Sequence, residues 1–511
     1  MNWGLFLSGK RKPCGWGASL SHVVCGPQST VSDITERSRI EVLPERNTVD
    51  DKSLQRNVLI VATLSGFLTP FMGSSIVVSL PSIAHDLSMK VITLSWVSTA
   101  YLLAAAGFCV PFGRASDIFG RKKVFTIGIV IDNVASILGA CARTSGMLIV
   151  ARIFQGIGGA MIFTLGITIV TSVFPAHKRG RALGIIVGAV YIGLSLGPVI
   201  GGILTHHFGW RSIFLSNVLI GLVILVTTVW KLKPEWAEAR GERFDYVGSF
   251  ACVVSLWFLM YGLSKMPGRT ALSFLVLGAL GIALFVIWEG RVKSPVLEIR
   301  LFRQSRTFLF SNLAALINYC ATYSVGFLVS LYLQYVKGFS AQTAGFILVS
   351  QPVIMAGFSP VAGLMSDRLE PRVVASIGMG LTVVGLSVFA CLTEGTGLSL
   401  IIANLMLLGL GFALFSSPNT NAVMGSVEKK YFGIAGGILS TMRVAGQMLS
   451  MGGVMLMFAL FHISGVIITA AYHSQFLQSA RTAFLVFAAL CLIGVFASLS
   501  RGKKGRQSPS L

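Results

Sequence analysis

Gly113-Arg-Ala-Ser-Asp117-Ile-Phe-Gly120-Arg121-Lys122-Lys123 stands between two apolar runs, 91–113 and 124–142. Each run is about 20 residues long, enough to cross a hydrocarbon core of about 30 Å as a helix. Between them the chain turns on glycine and sets several bases around one acid, Asp117. A short charged loop joining two apolar helices makes a membrane hairpin, and its positive charge marks the side on which it stays.

The same pattern repeats in both directions. Comparable runs lie near 57–80, 147–172, 182–204, 212–230, 246–264, 271–289, 308–334, 343–365, 373–393, 399–418, 433–461 and 482–500, so the sequence predicts fourteen spans and an all-α integral membrane protein. Composition agrees, with 54% apolar and only 12% charged residues, about half the charged fraction of a soluble domain. Placing the N-terminus inside leaves Lys90, Arg143, Arg211, Lys265, Arg269, Lys337 and Arg481 in outer loops and Arg152 and Arg443 within spans. The other Lys and Arg then face the cytoplasm, as the positive-inside bias requires, and an even span count puts both termini there. A net charge of +22 suggests nucleic acid only when bases form a stripe with exposed aromatics; here they sit in loops, and nucleic acid is excluded as a partner.

Residues 1–56 form a polar basic tail, expected to be disordered or the product of a mis-assigned start, and 501–511 a basic C-terminal tail. The connection 231–245 carries Lys231, Glu235, Glu238, Arg240, Glu242, Arg243 and Asp245 and is expected to be a solvated linker. Cys14 and Cys25 near His22 make no CxxC pair, so no metal site is expected, and the remaining cysteines fall in or at the end of apolar runs as small core residues. No Walker loop, zinc-ligand spacing or GxSxG elbow occurs, so neither ATP nor enzymatic catalysis is expected. Gly156-Ile-Gly158-Gly159 lies inside a span, where glycine permits close helix contact.

The 113–123 loop resembles the signature loop of the major facilitator superfamily, and further segments extend the likeness. Leu148-Ile-Val-Ala-Arg152-Ile-Phe-Gln155-Gly156 is similar to the fourth-helix motif, and Gly188-Ala-Val-Tyr-Ile-Gly193-Leu-Ser-Leu-Gly197-Pro198-Val-Ile-Gly201-Gly202 to the fifth-helix antiporter motif. Phe208-Gly209-Trp210-Arg211, Ser417-Pro-Asn419-Thr-Asn421 and Ser440-Thr-Met-Arg443 resemble the fourteen-helix drug:proton antiporter branch. The resemblance implies two six-helix bundles, 57–230 and 308–500, with linkers and two inserted helices in 231–307. Gly363-Leu-Met-Ser-Asp367-Arg368-Leu-Glu-Pro371-Arg372 is a fainter copy of the loop. It also implies that Gly113, Asp117, Gly120, Arg121 and Lys122 latch one state of a rocking pair of bundles, with Gly363, Asp367, Arg368 and Arg372 as a second latch-like loop.

Charge inside a membrane costs at least about 2.5–3.5 kcal/mol on insertion scales, so each instance needs a reason. Asp132 is the one carboxylate deep in a span; it is a candidate proton carrier or half of a structural polar pair. An ion pair between Asp132 and Arg152, with Gln155 nearby, is one expectation, and Arg152 facing the cavity in a relay is the other. Ser440, Arg443 and Gln447 share a helical face, expected either to line the interface between the bundles or to form a structural hydrogen-bond seam, and Arg443 is a further candidate for the proton or ion-pair relay. Where the branch usually carries an acid in the first span this chain has Met72. A cavity with two arginines and no wall carboxylate suits neutral or anionic amphiphiles better than dications. Asn318, Tyr319, Thr322, Tyr323, Asn419 and Asn421 are candidate cavity contacts, or else helix–helix hydrogen bonds.

The expected function is therefore proton-coupled export of hydrophobic or amphipathic small molecules across the cell membrane. The lipid bilayer is the surrounding partner, the transmembrane proton gradient the energy source, and no cofactor is needed; a periplasmic adaptor is left open. An uncoupled or differently coupled metabolite transporter, and a membrane sensor that does not translocate, are the alternatives.

Overall fold

No water in a bilayer core can satisfy backbone polar groups, so long apolar segments close their hydrogen bonds internally as helices. The computed structural model describes residues 48–89, 91–264, 268–462 and 472–501. Lys90, Lys265, most of the N-terminal tail and the C-terminal tail beyond Arg501 lie outside the described residues. Fourteen helices are long and apolar enough to span. They are α1 (Lys52–Asp86), α2 (Trp96–Phe119), α3 (Arg121–Ala140), α4 (Ser145–Val173), α5 (Ala176–Phe208), α6 (Arg211–Lys231) and α7 (Tyr246–Leu263), followed by α8 (Thr270–Glu289), α9 (Arg306–Val336), α10 (Gln342–Arg368), α11 (Pro371–Ala390), α12 (Leu398–Gly425), α13 (Lys429–Leu460) and α14 (His473–Leu499). Each coincides with a predicted run, and several continue past it because helix caps form in the polar flanks: Thr144 caps α4 by accepting from Met147 N.

Helices α1–α6 form one bundle and α9–α14 a second. In the first, α3 packs on α4 and α6, and α2 on α4; in the second, α11 packs on α12 and α14, and α9 on α13. Two helix pairs make the main contacts between the bundles, α5 with α10 and α2 with α13, with α4–α13 and α5–α12 beside them, which is the arrangement expected of a duplicated unit. Helices α7 and α8 pack on each other, and α7 rests on α2, where the Gly107 backbone leaves room for the Trp257 indole.

Small residues set these approaches. Helix α5 carries two glycine stripes. Gly180 and Gly184 meet the backbone of α10 at Gly363 and Ser359, whereas Gly193, Gly197 and Gly201 meet α1 at Phe67, Phe71 and Ser75. The Ser75 hydroxyl donates to Gly197 O at 2.9 Å. The later part of the antiporter-like segment, Gly193 to Gly201, therefore packs inside its own bundle, whereas its start at Gly188 continues the Gly180–Gly184 stripe against α10 at Ala356; Gly202 lies near Val78. Pro198 lies within α5 without ending it.

Two expectations need correction. The 231–245 connection is not simply solvated: Leu232 and Ala239 are buried, and Glu235 accepts from Lys122 N at 2.8 Å and Lys123 N at 3.1 Å. The four orphan amides at a helix start attract a carboxylate, and here the linker supplies it to α3. Among the cysteines, Cys109, Cys252 and Cys491 are buried, but Cys141 and Cys391 are exposed, because each falls just past the last turn of its helix.

Candidate functional site

At the end of the molecule that carries most of the bases, two carboxylates hold the bundles together. Asp117, at the foot of α2, accepts from Gly433 N at 2.9 Å and Ile434 N at 3.1 Å in the first turns of α13. Asp367, at the foot of α10, accepts from Gly180 N at 2.7 Å and Arg181 N at 2.9 Å in the first turns of α5. Anions are favoured at helix N-termini by free amides and by the helix dipole. Four residues before each acid stands a glycine, Gly113 or Gly363, whose missing side chain lets the partner backbone in; a Cβ at Gly113 would overlap Gly433, and one at Gly363 would overlap Gly180. The two carboxylate contacts, the loops expected to act as latches, share one arrangement in the two halves of the chain.

They differ in reinforcement. Arg121 is fully buried beside Asp117, with Nη2 2.8 Å from its carboxylate, and donates to Ser172 Oγ at 2.7 Å and to Lys429 O at 2.5 Å. The equivalent fourth residue after Asp367 is Pro371, which has no charge to offer. Arg372 pairs instead with Glu370, and the cation that interacts electrostatically with Asp367 is Arg179 of α5. The Phe432 ring lies between the latches, with Arg121 at 5.5 Å and Arg179 at 5.4 Å from its centroid, a cation–π geometry. Gly120 has φ 109°, a left-handed turn that suits glycine, and its open face lies against Glu235.

The linker adds a third tie that sequence reasoning missed. Glu242 bonds Arg114 of α2 at 2.5 Å and Lys430 of α13 at 2.6 Å, so it bridges the two bundles. Burial pushes the Glu242 carboxyl up, but the hydrogen bonds from Lys430 and Arg114 outweigh it and hold it below the ordinary range. Its signal in the sequence was only the acid content of the linker, which solvated linkers share.

Asp132 and Arg152 do not form the expected direct ion pair. Gly158 brings α4 against the Asp132 backbone, and Arg152 stands six residues away, about 9 Å along the axis. Side chains span the gap. Asn217 of α6 donates to Asp132 Oδ2 at 2.8 Å and to Ser136 Oγ at 2.9 Å. Gln155 Nε2 also donates to Ser136 Oγ, at 2.9 Å, and Gln155 Oε1 accepts from Arg152. Arg152 completes its shell on Val97 O at 2.9 Å and over the Tyr101 ring at 4.5 Å. Arg152, Gln155 and Asp132 are all buried within the first bundle, so Arg152 does not face the cleft between bundles. A lone asparagine in an apolar span, Asn217, was the one signal for the missed partner.

Of the proposed cavity residues, Tyr319 reaches the interface, where it packs edge-on to Phe412 at 5.1 Å, and Phe412 in turn meets Tyr191 at 5.8 Å. The others do not join it. Asn318 is fully buried in α9, Thr322 donates to its own helix at Asn318 O, and Asn421 donates to Ser366 at 3.0 Å. Asn419 is buried in α12, and Tyr323 is exposed. Arg443 lies about 16 Å along α13 from Phe432 at 1.5 Å per residue, near mid-depth. It lines the narrow gap between bundles.

Comparison with known proteins follows this geometry. The Major Facilitator Superfamily model matches residues 62–288 and 312–510. The riboflavin transporter RibZ of Clostridioides difficile is 30% identical over 386 residues, covering 76% of this chain and 84% of that protein. The multidrug resistance protein Stp of Mycobacterium tuberculosis is 30% identical over 395 residues, covering 76% of this chain and 73% of that protein. In fold, the chain is similar to the human organic anion transporter MFSD10 (TETRAN), with a TM-score of 0.62 at 16% identity over 87% of this chain and 99% of that one. Fourteen spans, a duplicated bundle, paired latches and a family match over both halves agree: the chain is a multi-pass membrane protein that belongs to the major facilitator superfamily.

Proposed function

We propose that the chain is a secondary active transporter that couples proton movement to export of hydrophobic or amphipathic compounds, with neutral or anionic cargo favoured over dications. The observation that carries this reading is the pair of repeat-related carboxylate latches at one end of the bundle interface, since a static membrane scaffold has no use for a closure on both repeats. With the basic end in the cytoplasm, and both chain termini there, the latched arrangement is the state closed to the cytoplasm. Unlatching and rocking of the bundles would expose the midplane to the other side in turn. Asp132 is the carboxylate at mid-depth available to carry a proton, and the Asn217–Ser136–Gln155–Arg152 chain ties it to the outer part of α4. The multidrug resistance protein among the relatives supports export.

A riboflavin transporter at equal identity favours a second reading, an uncoupled or differently coupled metabolite transporter. Proteoliposomes holding the purified chain and a pH-sensitive dye separate the two. Under an imposed pH gradient, a neutral fluorescent amphiphile should accumulate against its own gradient, with matching proton flux, and Asp132→Asn should abolish both. Equilibration that ignores the pH gradient would leave the metabolite reading standing.

A further inference from the structure

Arg443 is a cation at mid-depth with no carboxylate in ion-pair contact among the described residues. It is 5% exposed. Its Nη2 donates to the Thr420 hydroxyl at 2.6 Å, while its buried Nε has no protein acceptor. The guanidinium lies 5.5 Å from the centroid of Phe163 in the first bundle and 5.7 Å from that of Tyr319 in the second. The gap it lines is otherwise walled by apolar and small uncharged side chains, and holds about 20 Å³, room for one water. Asp132 and the other mid-depth charges belong to the first bundle's interior and do not reach it. Burying a cation this way is costly unless an anion joins it, and the edge-on trio Tyr191, Phe412 and Tyr319 sits beside it.

We infer that Arg443 anchors the anionic group of the transported compound, and that the cargo class is a flat aromatic monoanion such as an aromatic carboxylate. This rests on the transport reading above and narrows its substrate. When the bundles part, the Nε edge of the guanidinium is the free donor, and a carboxylate fits its fork in a way that an ammonium or an amide does not. The ring system then lies against Tyr319 and Phe163, one from each bundle, so that the ligand touches both halves that must move. The first-span residues that line the gap, Ala62, Ser65 and Gly66, carry no charge that would repel such a ligand.

Anthracene-9-carboxylate, its neutral amide and 9-(aminomethyl)anthracene at a pH where it is cationic are matched probes for the purified full-length chain. Binding read by anthracene fluorescence should favour the carboxylate over both others by about tenfold. Arg443→Gln should bring the carboxylate down to the amide's affinity and leave the amide unchanged; Arg443→Lys should restore part of the difference. Equal loss for carboxylate and amide in a variant that still elutes as a monodisperse protein would mean a packing role, and preference for the cation in the wild type would overturn the anion site outright. Proteoliposome uptake of the amide with and without a pH gradient is scored separately. Failure of coupling there sinks the exporter reading and leaves the Arg443 result intact.

Discussion

Asn217 keeps the only mid-depth carboxylate supplied with a hydrogen bond, and it does so from a different helix. Asn217→Leu would strand Asp132, and an unsatisfied buried acceptor costs about 1–3 kcal/mol, more if charged. The purified variant should melt several degrees lower in detergent, and Asn217→Leu with Asp132→Leu should recover most of the loss. An unchanged melting point in the single variant would show that the bond is not made. The glycines of the latches behave in the opposite way. Gly113→Ala places a methyl on the Gly433 backbone, and overpacking of this kind costs about 1–3 kcal/mol. Because the overlap exists only when the bundles meet, the cost falls on the closed state, and labelling of a cysteine introduced at Ser172 should rise severalfold. Asp117 and Asp367 could be singled out from the sequence because their loops resemble the family's signature loop and a fainter copy of it. Asn217 could not, since one amide in an apolar span is equally at home in ordinary helix packing.

Among the elements, the segment between α6 and α7 differs most from its sequence description. It caps α3 through Glu235, pairs with the chain at Asp117 O through Ala239 N, and ties α2 to α13 through Glu242. Glu242→Gln removes the charge from both bonds at once. Exposed pairs contribute little, about 0–1 kcal/mol, but this one spans two moving bodies, so the variant should open more often at the basic end while keeping its melting point. The pH dependence follows from the lowered Glu242 carboxyl. A depressed acid stabilises the closed state fully above its ordinary value, near 4.3, and loses that contribution as pH falls through the lower folded value. Accessibility of the basic end should therefore be flat from pH 8 to 5 in this respect and rise only in stronger acid, a rise that Glu242→Gln should lack. The opposite trend, opening as pH increases, would assign the bridge to another group.

For the whole molecule, two closures related by the repeat imply that either one alone holds the basic end less well. Asp117→Asn and Asp367→Asn should each increase labelling there, with the first larger because Arg121 and Phe432 depend on it. The double variant should exceed both and still fold, since neither acid belongs to a bundle interior. Native cysteines report the sidedness: Cys141 and Cys391 are exposed at the end opposite the latches. A membrane-impermeant maleimide added to intact cells should modify them. Protection in intact cells with reaction only after permeabilisation would invert the orientation and, with it, the direction of transport.

From the sequence alone came the fourteen spans, because length, apolarity and loop charge are local properties that a bilayer converts directly into helices; the duplicated bundles and the two loop acids, Asp117 and Asp367, were implied by the resemblance of the loops to the family signature. Only the folded chain decided which glycine stripe of α5 meets the other bundle, that Asp132 bonds Asn217 rather than Arg152, and that Glu242 stands where two bundles meet. Those facts depend on which faces of distant helices come together, and an apolar helix bears almost the same side chains on every face, so its sequence does not say which one turns inward.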